Sequence, residues 1–123
     1  MIKAFQAKDL PYLVQIDPEF HFLDTSKFVI KVNLPFGYIA YRYLRGCIRI
    51  EQLRVGITFR KMGVGTELLK SIDTDKCIEV IVHEENEHMG WLVKRGFIAA
   101  KGILFNHFPD SRDGFLFRKE ING

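Results

Sequence analysis

The run Cys77-Ile78-Glu79-Val80-Ile81-Val82-His83 is almost unbroken in apolar character. It is too short for an ordinary helix and too apolar for a strand with one wet face, so it reads as a strand covered on both sides. A β-rich run from Cys47 to Val55 precedes it, followed by Gly56 to Gly65 and a segment whose Val64, Leu68, Leu69 and Ile72 recur at helical spacing. A strand, a helix and a second strand in that order close by a right-handed crossover, which sets the two strands parallel.

Around that unit the chain reads as antiparallel sheet. Met1 to Gln6 forms a short first strand, and Asp9-Leu10-Pro11 starts a helix with an acidic cap and an early proline, turning Leu10, Leu13, Val14 and Ile16 inward. Asp17-Pro18 ends it, because proline disfavours helical geometry in the residue before it. Glu19 to Lys27 carries no assignable period. Phe28 to Val32, Gly37 to Leu44 and Cys47 to Val55 then form a meander, with turns at Asn33-Leu34-Pro35 and Arg45-Gly46. Strict alternation in the third run puts Ile48, Ile50 and Gln52 on one face and Glu51, Leu53 and Val55 on the other. A later helix, from about Asn86 to Arg95, turns Met89, Leu92 and Val93 inward and stops at Gly96. Phe97 to Phe105 and Gly114 to Ile121 close the chain as an antiparallel pair, so the fold class is mixed α/β.

Composition narrows what such a chain does. A length of 123 residues with 47% hydrophobic content makes residues 1–123 one domain with a real core. No apolar run approaches the roughly 20 residues that span a bilayer, and Met1 to Gln6 lacks the features of a secretory signal. The expectation is therefore a soluble, cytoplasmic chain in which Cys47 and Cys77 are buried, reduced thiols without a disulfide or metal spacing. A net charge of +3 suits an anionic ligand and falls short of a nucleic-acid-binding surface, so neither nucleic acid nor membrane is an expected partner.

The segment Arg60-Lys61-Met62-Gly63-Val64-Gly65-Thr66 carries the chemistry, because it joins a strand to a helix. Amide groups at a helix start have no internal partner and lie at the positive end of the helix dipole, where they hold a phosphate. Glycines at 63 and 65 let the backbone come close to that anion. The alternative is a plain glycine turn, since the segment is neither a Walker loop nor the three-glycine dinucleotide fingerprint.

These stretches together resemble the Gcn5-related N-acetyltransferase (GNAT) family. Ile50-Glu51-Gln52-Leu53-Arg54-Val55 is similar to the family's Leu-x-Val strand, and Arg60-Lys61-Met62-Gly63-Val64-Gly65 to its Gln/Arg-x-x-Gly-x-Gly/Ala hallmark. Asn86, then Trp91-Leu92-Val93-Lys94-Arg95-Gly96-Phe97, resembles the family's helix that closes on Gly-Phe. The likeness implies the acyl-CoA N-acyltransferase fold, a mostly antiparallel sheet flanked by helices with a parallel contact and splay between the fourth and fifth strands. It also implies acetyl-coenzyme A (acetyl-CoA) as cosubstrate and transfer of its acetyl group to an amine.

Carried over residue by residue, the resemblance lays the pantetheine arm along Leu53, Arg54 and Val55. It rests the pyrophosphate on Arg60, Lys61, Met62, Gly63, Val64 and Gly65 with Thr66 at the helix start, and brings Asn86 to the cofactor arm. Asn86 reads equally well as an N-cap. Glu51 matches a position where many members carry a glutamate and is the candidate base, the alternative being a carboxylate satisfied by Arg42. No metal is implied. Leu92 stands where the family often has a tyrosine acid, leaving Tyr41, Tyr43, water, or His83 and His88 near the mouth of the site. The loop 106–113 reads as a hairpin connection or as a border of the acceptor pocket.

Two functions follow from this reading. One is an N-acetyltransferase acting on a primary amine by direct attack on the thioester; the other is a non-catalytic acetyl-CoA-binding domain that acts through a protein partner. The stretch between the first helix and the second strand is short for the family, which leaves the acceptor site either open or completed by a second copy in a homodimer.

Overall fold

The crossover takes the form that the hydrophobic pattern demands. The computed structural model describes residues 1–56, 59, 62–72, 74, 77–83, 89–104 and 114–120. Its elements in chain order are β1 (Lys3–Ala4), α1 (Leu10–Ile16), β2 (Val29–Asn33), β3 (Gly37–Leu44), β4 (Cys47–Val55), α2 (Val64–Lys70), β5 (Cys77–His83), α3 (Met89–Lys94), β6 (Ile98–Leu104) and β7 (Gly114–Lys119). The strands form one sheet in the order β1-β2-β3-β4-β5-β7-β6. β4 and β5 pair in parallel from Cys47↔Cys77 to Ile50↔Val80, while the ladders of β1 with β2, β2 with β3, β5 with β7 and β6 with β7 are antiparallel. The chain divides into two compact units, Met1–Arg42 with Glu51–Asp73 and Tyr43–Ile50 with Thr74–Gly123.

In the first unit, α1 covers one face of β2 and β3. Leu13 packs with Phe20, Ile30, Val32, Tyr38 and Ala40, so the even-numbered residues of both strands face the helix, as a period of two requires. The Phe20 ring meets Tyr38 edge-on at 4.9 Å between centroids. On the opposite face the Lys31 ammonium reaches the Ser71 carbonyl at 2.5 Å, just past the end of α2, and lies 5.9 Å from the centre of the Tyr41 ring. α2 buries Val64, Leu68 and Leu69, the apolar positions its spacing marks out.

The second unit is held by the ladder of β7 with β5, which runs from Ile78↔Lys119 to His83↔Gly114 and places the last strand between β5 and β6. Glu79 is buried between two guanidinium groups, with Arg49 Nη2 2.8 Å from Oε2 and Arg118 Nη2 2.9 Å from Oε1. A buried carboxylate needs such partners. α3 ends at Gly96 with φ at +91°; the Gly96 and Phe97 amides return to the carbonyls of Val93 and Leu92 at 3.1 Å each.

Several expectations change. The first strand is only Lys3–Ala4, at the edge of the sheet, and the second begins one residue late at Val29. The unassigned stretch after α1 folds as single-turn 3-10 helices, Pro18–Phe22 and Thr25–Lys27, each started by an aspartate side chain: Asp17 accepts from the Glu19 amide and Asp24 from the Ser26 amide, both at 3.1 Å. Short local turns of this kind have no long hydrophobic period to detect. Cys47 and Cys77 are not separate thiols but a disulfide, because they are direct register partners in the parallel ladder with Cα atoms 4.7 Å apart. Together with Glu79 they are the one group of potential metal ligands among the described residues. Both sulfurs are bonded and both carboxylate oxygens are taken by arginines, which leaves a cation no free donor.

Asp9 ties the start of α1 to the sheet. Its buried carboxylate accepts from the Gln6 amide at 2.9 Å and from the Lys3 ammonium at 3.2 Å. The Gln6 amide chiefly, with Lys3 adding to it and burial opposing, holds this carboxyl below its ordinary 3.8. A carboxyl depressed in the folded state stabilises the fold above the unfolded value and loses that contribution as pH falls through the folded value. Asp9→Asn is therefore expected to lower the melting temperature at pH 7, with the gap to wild type closing as the pH is taken below about 4 in a series of thermal melts.

Candidate active site

The turn from β4 into α2 is built by glycines at points where other residues do not fit. A Cβ on Gly37 would lie 2.5 Å from the Arg54 carbonyl, so glycine there lets β3 run against the end of β4. The Gly56 amide donates to the Phe36 carbonyl at 2.8 Å, and the rings of Phe36 and Phe59 pack edge-on at 4.8 Å. Gly63 is the N-cap of α2 in the left-handed region, with φ +83° and ψ 3°, and none of the described residues lies within 4 Å of where its Cβ would be. Its carbonyl takes the first helical bond, from the Glu67 amide at 3.0 Å. The role of Gly63 is thus conformational, and it leaves open space ahead of the helix.

Of the residues assigned to the cofactor, Met62 and Gly63 are exposed, Val64 is buried in the α2 core, and Gly65 and Thr66 are half-buried in the first turn of the helix. Leu53 and Val55 are half-buried on β4. Arg54 is exposed; its guanidinium lies 3.9 Å from Asp17 and donates to the Leu53 carbonyl at 3.3 Å. Arg60, Lys61, Asn86, His88 and the loop 106–113 lie outside the described residues, as does the side chain of His83. Leu92, at the position of the family's tyrosine, is buried in α3.

Glu51 pairs with Arg42, whose Nε lies 3.0 Å from Oε1, with the carboxylate side chain 29% exposed. This is the partner that the sequence offered as the alternative to a free base. The pairing also shows that β4 does not alternate strictly. Tyr38 and Ala40 face α1, and alternation carries Arg42 to the same side. Glu51 joins Arg42 there. Arg54 approaches Asp17 Oδ2, the same oxygen that accepts the Tyr38 hydroxyl at 2.7 Å, so Arg54 also stands on the α1 side. Residues 51 and 54 are an odd number apart and share a side, so the alternation expected from the sequence breaks once between them. Such breaks occur where a strand bulges, often beside functional sites.

Sequence reasoning passed over two features of this region. Asp17 is a hub, accepting from Tyr38 and the Glu19 amide; burial first and then the Asp17 contact push the Tyr38 phenol above its ordinary 10.0, so it stays a donor. Gln52, inside the break, has a buried Oε1 with no hydrogen-bond partner among the described residues. Neither has a local signature, because each depends on which strand or loop lies alongside.

No protein-family model and no curated protein sequence matches the chain. Solved structures do. The ribosomal-protein-S18-alanine N-acetyltransferase from Escherichia coli superposes with a TM-score of 0.77 at 16% identity, over 100% of this chain and 94% of that one. A GNAT family acetyltransferase from Elizabethkingia anophelis with acetyl-CoA bound gives 0.75 at 18%, covering 98% and 97%. Chaetomium thermophilum Naa20 in complex with a bisubstrate analogue gives 0.80 at 16%, covering 99% and 88%. The chain has the GNAT acetyltransferase fold. The mixed sheet with its parallel β4–β5 pair, expected from the hydrophobic pattern, is that of the GNAT fold.

Gly63→Ala is expected to destabilise this GNAT-fold chain by about 1–2 kcal/mol, the cost of a left-handed conformation in a residue with a Cβ. Gly63→Asn should cost less, since asparagine tolerates that region. Equal denaturant midpoints for the alanine and wild-type proteins would refute the conformational role.

Proposed function

We propose that the chain is an acetyl-CoA-dependent N-acetyltransferase whose acceptor is a primary amine, with residues 1–123 acting as one domain. The observation that carries this reading is the whole-chain likeness to a fold that holds acetyl-CoA in the E. anophelis protein, with a left-handed glycine at the β4–α2 junction of this chain. In this reading the pyrophosphate rests on the amides from Arg60 to Gly65, with Thr66 beside it. The pantetheine arm runs along Leu53, Arg54 and Val55, and Asn86 touches it. Among the described residues the space around Gly63 is open, and its place at the start of α2 suits an anionic group there.

In the reaction the amine nitrogen bonds to the thioester carbonyl carbon and the carbon–sulfur bond breaks. The proton lost by nitrogen passes to Glu51 directly or through one water. A thiol of ordinary acidity, with a pKa of about 8.5, leaves readily as thiolate, so a leucine at position 92 does not stop the transfer. The ribosomal-protein-S18-alanine N-acetyltransferase among the structural neighbours favours a protein amine as acceptor.

One observation favours a second reading, an acetyl-CoA-binding domain that acts through a partner: the carboxylate of Glu51 is already paired with Arg42. Calorimetry with coenzyme A and a turnover assay following thiol release separate the two. The assay would use acetyl-CoA with free-N-terminus hexapeptides, an Nα-blocked lysine peptide, spermidine and kanamycin. The enzyme reading expects binding together with turnover of at least one amine, and a fall in kcat of about 10²- to 10⁴-fold in Glu51→Gln at unchanged coenzyme A affinity. Binding without turnover of any amine supports the binding domain, and absence of binding defeats both.

A further inference from the structure

Gln52 Oε1 is the buried side-chain oxygen without a hydrogen-bond partner among the described residues. Buried acceptors are normally bonded, since losing water without gaining a donor carries the full desolvation penalty of the group. The atom is placed with its side chain in the stretch of β4 where alternation breaks, and its residue adjoins Glu51. The titratable and charged side chains named around it are already engaged, Glu51 with Arg42 and Asp17 with Tyr38 and Arg54. Of these acceptors, Gln52 Oε1 is the one that is buried with no donor among the described residues.

The chemistry of the proposed reaction says which ligand group fills it. Of the two reacting groups, the thioester has neither N–H nor O–H, whereas the amine brings a donor. A neutral amide oxygen accepts that N–H without competing for the proton, which a carboxylate at the same place would do. We propose that Gln52 Oε1 receives a hydrogen bond from the acceptor nitrogen and holds it beside Glu51 during attack, making Gln52 an acceptor-binding residue selective for N–H donors. This rests on the N-acetyltransferase reading.

The test avoids the need to know the natural acceptor. Two probes carry coenzyme A sulfur joined through CH2–C(=O) to propylamine as an amide, or to propanol as the matching ester; only the amide presents an N–H where the acceptor nitrogen would be. Calorimetry on wild type, Gln52→Met and Gln52→Glu is expected to show wild type preferring amide to ester by about 3- to 10-fold, the value of one neutral hydrogen bond. Gln52→Met should lose that preference while binding coenzyme A as wild type does, and should melt no lower, since the stranded oxygen is gone. Gln52→Glu, which keeps an acceptor, should retain the preference. If Gln52→Met discriminates as wild type does, or if wild type binds coenzyme A yet treats the two probes alike, the Gln52 assignment is wrong. If wild type binds neither coenzyme A nor the probes, the acetyltransferase reading beneath it is what fails.

Discussion

A strand that alternates without interruption cannot present Glu51 to Arg42 and Arg54 to Asp17 on one side of a sheet, yet β4 does both. The single break between these residues lets Glu51 stand on the α1 side with Arg42, while Arg54 reaches the end of α1 at Asp17. Within the same stretch, Gln52 Oε1 is buried with no hydrogen-bond partner among the described residues. A strand bent in this way trades a regular ladder for an unusual placement of side chains, and that placement is what the proposed chemistry uses.

Around the break the first unit is rigid for ordinary reasons. Leu13, Phe20, Ile30, Val32, Tyr38 and Ala40 form a close-packed cluster under α1. Asp17 fastens that cluster to the turn after the helix by taking the Tyr38 hydroxyl, whose proton is secured by burial. The charged pairs differ in weight. Arg42 with Glu51 is partly exposed and worth little as a stabilising contact, so it can exchange partners at small cost. Glu79 between Arg49 and Arg118 is buried, and without both arginines its charge would be stranded, so that cluster is structural.

Much of the fold was legible in the residues because its signals are periodic. The apolar run of β5, the helical spacing of Val64, Leu68 and Leu69, the glycine Gly63 that starts α2 and the glycine Gly96 that stops α3 each report a local backbone requirement. Of the candidate site, the position of the β4–α2 turn was legible for the same reason. The Cys47–Cys77 disulfide was not, because the two residues are 30 apart in sequence and meet only through strand register. That Glu51 and Arg54 share a side was not legible either, because a break within a strand reverses alternation without altering composition.

The sequence by itself determined the class of fold, the strand-helix-strand order and the place of the glycine turn, since backbone preference and hydrophobic period act over a few neighbouring residues. Only the tertiary structure decided which side chains meet, Arg42 with Glu51 and Asp17 with Tyr38, and left Gln52 Oε1 without a donor among the described residues. Those outcomes depend on register and on the break in β4, which are set by how whole strands pack and not by any residue's own preference.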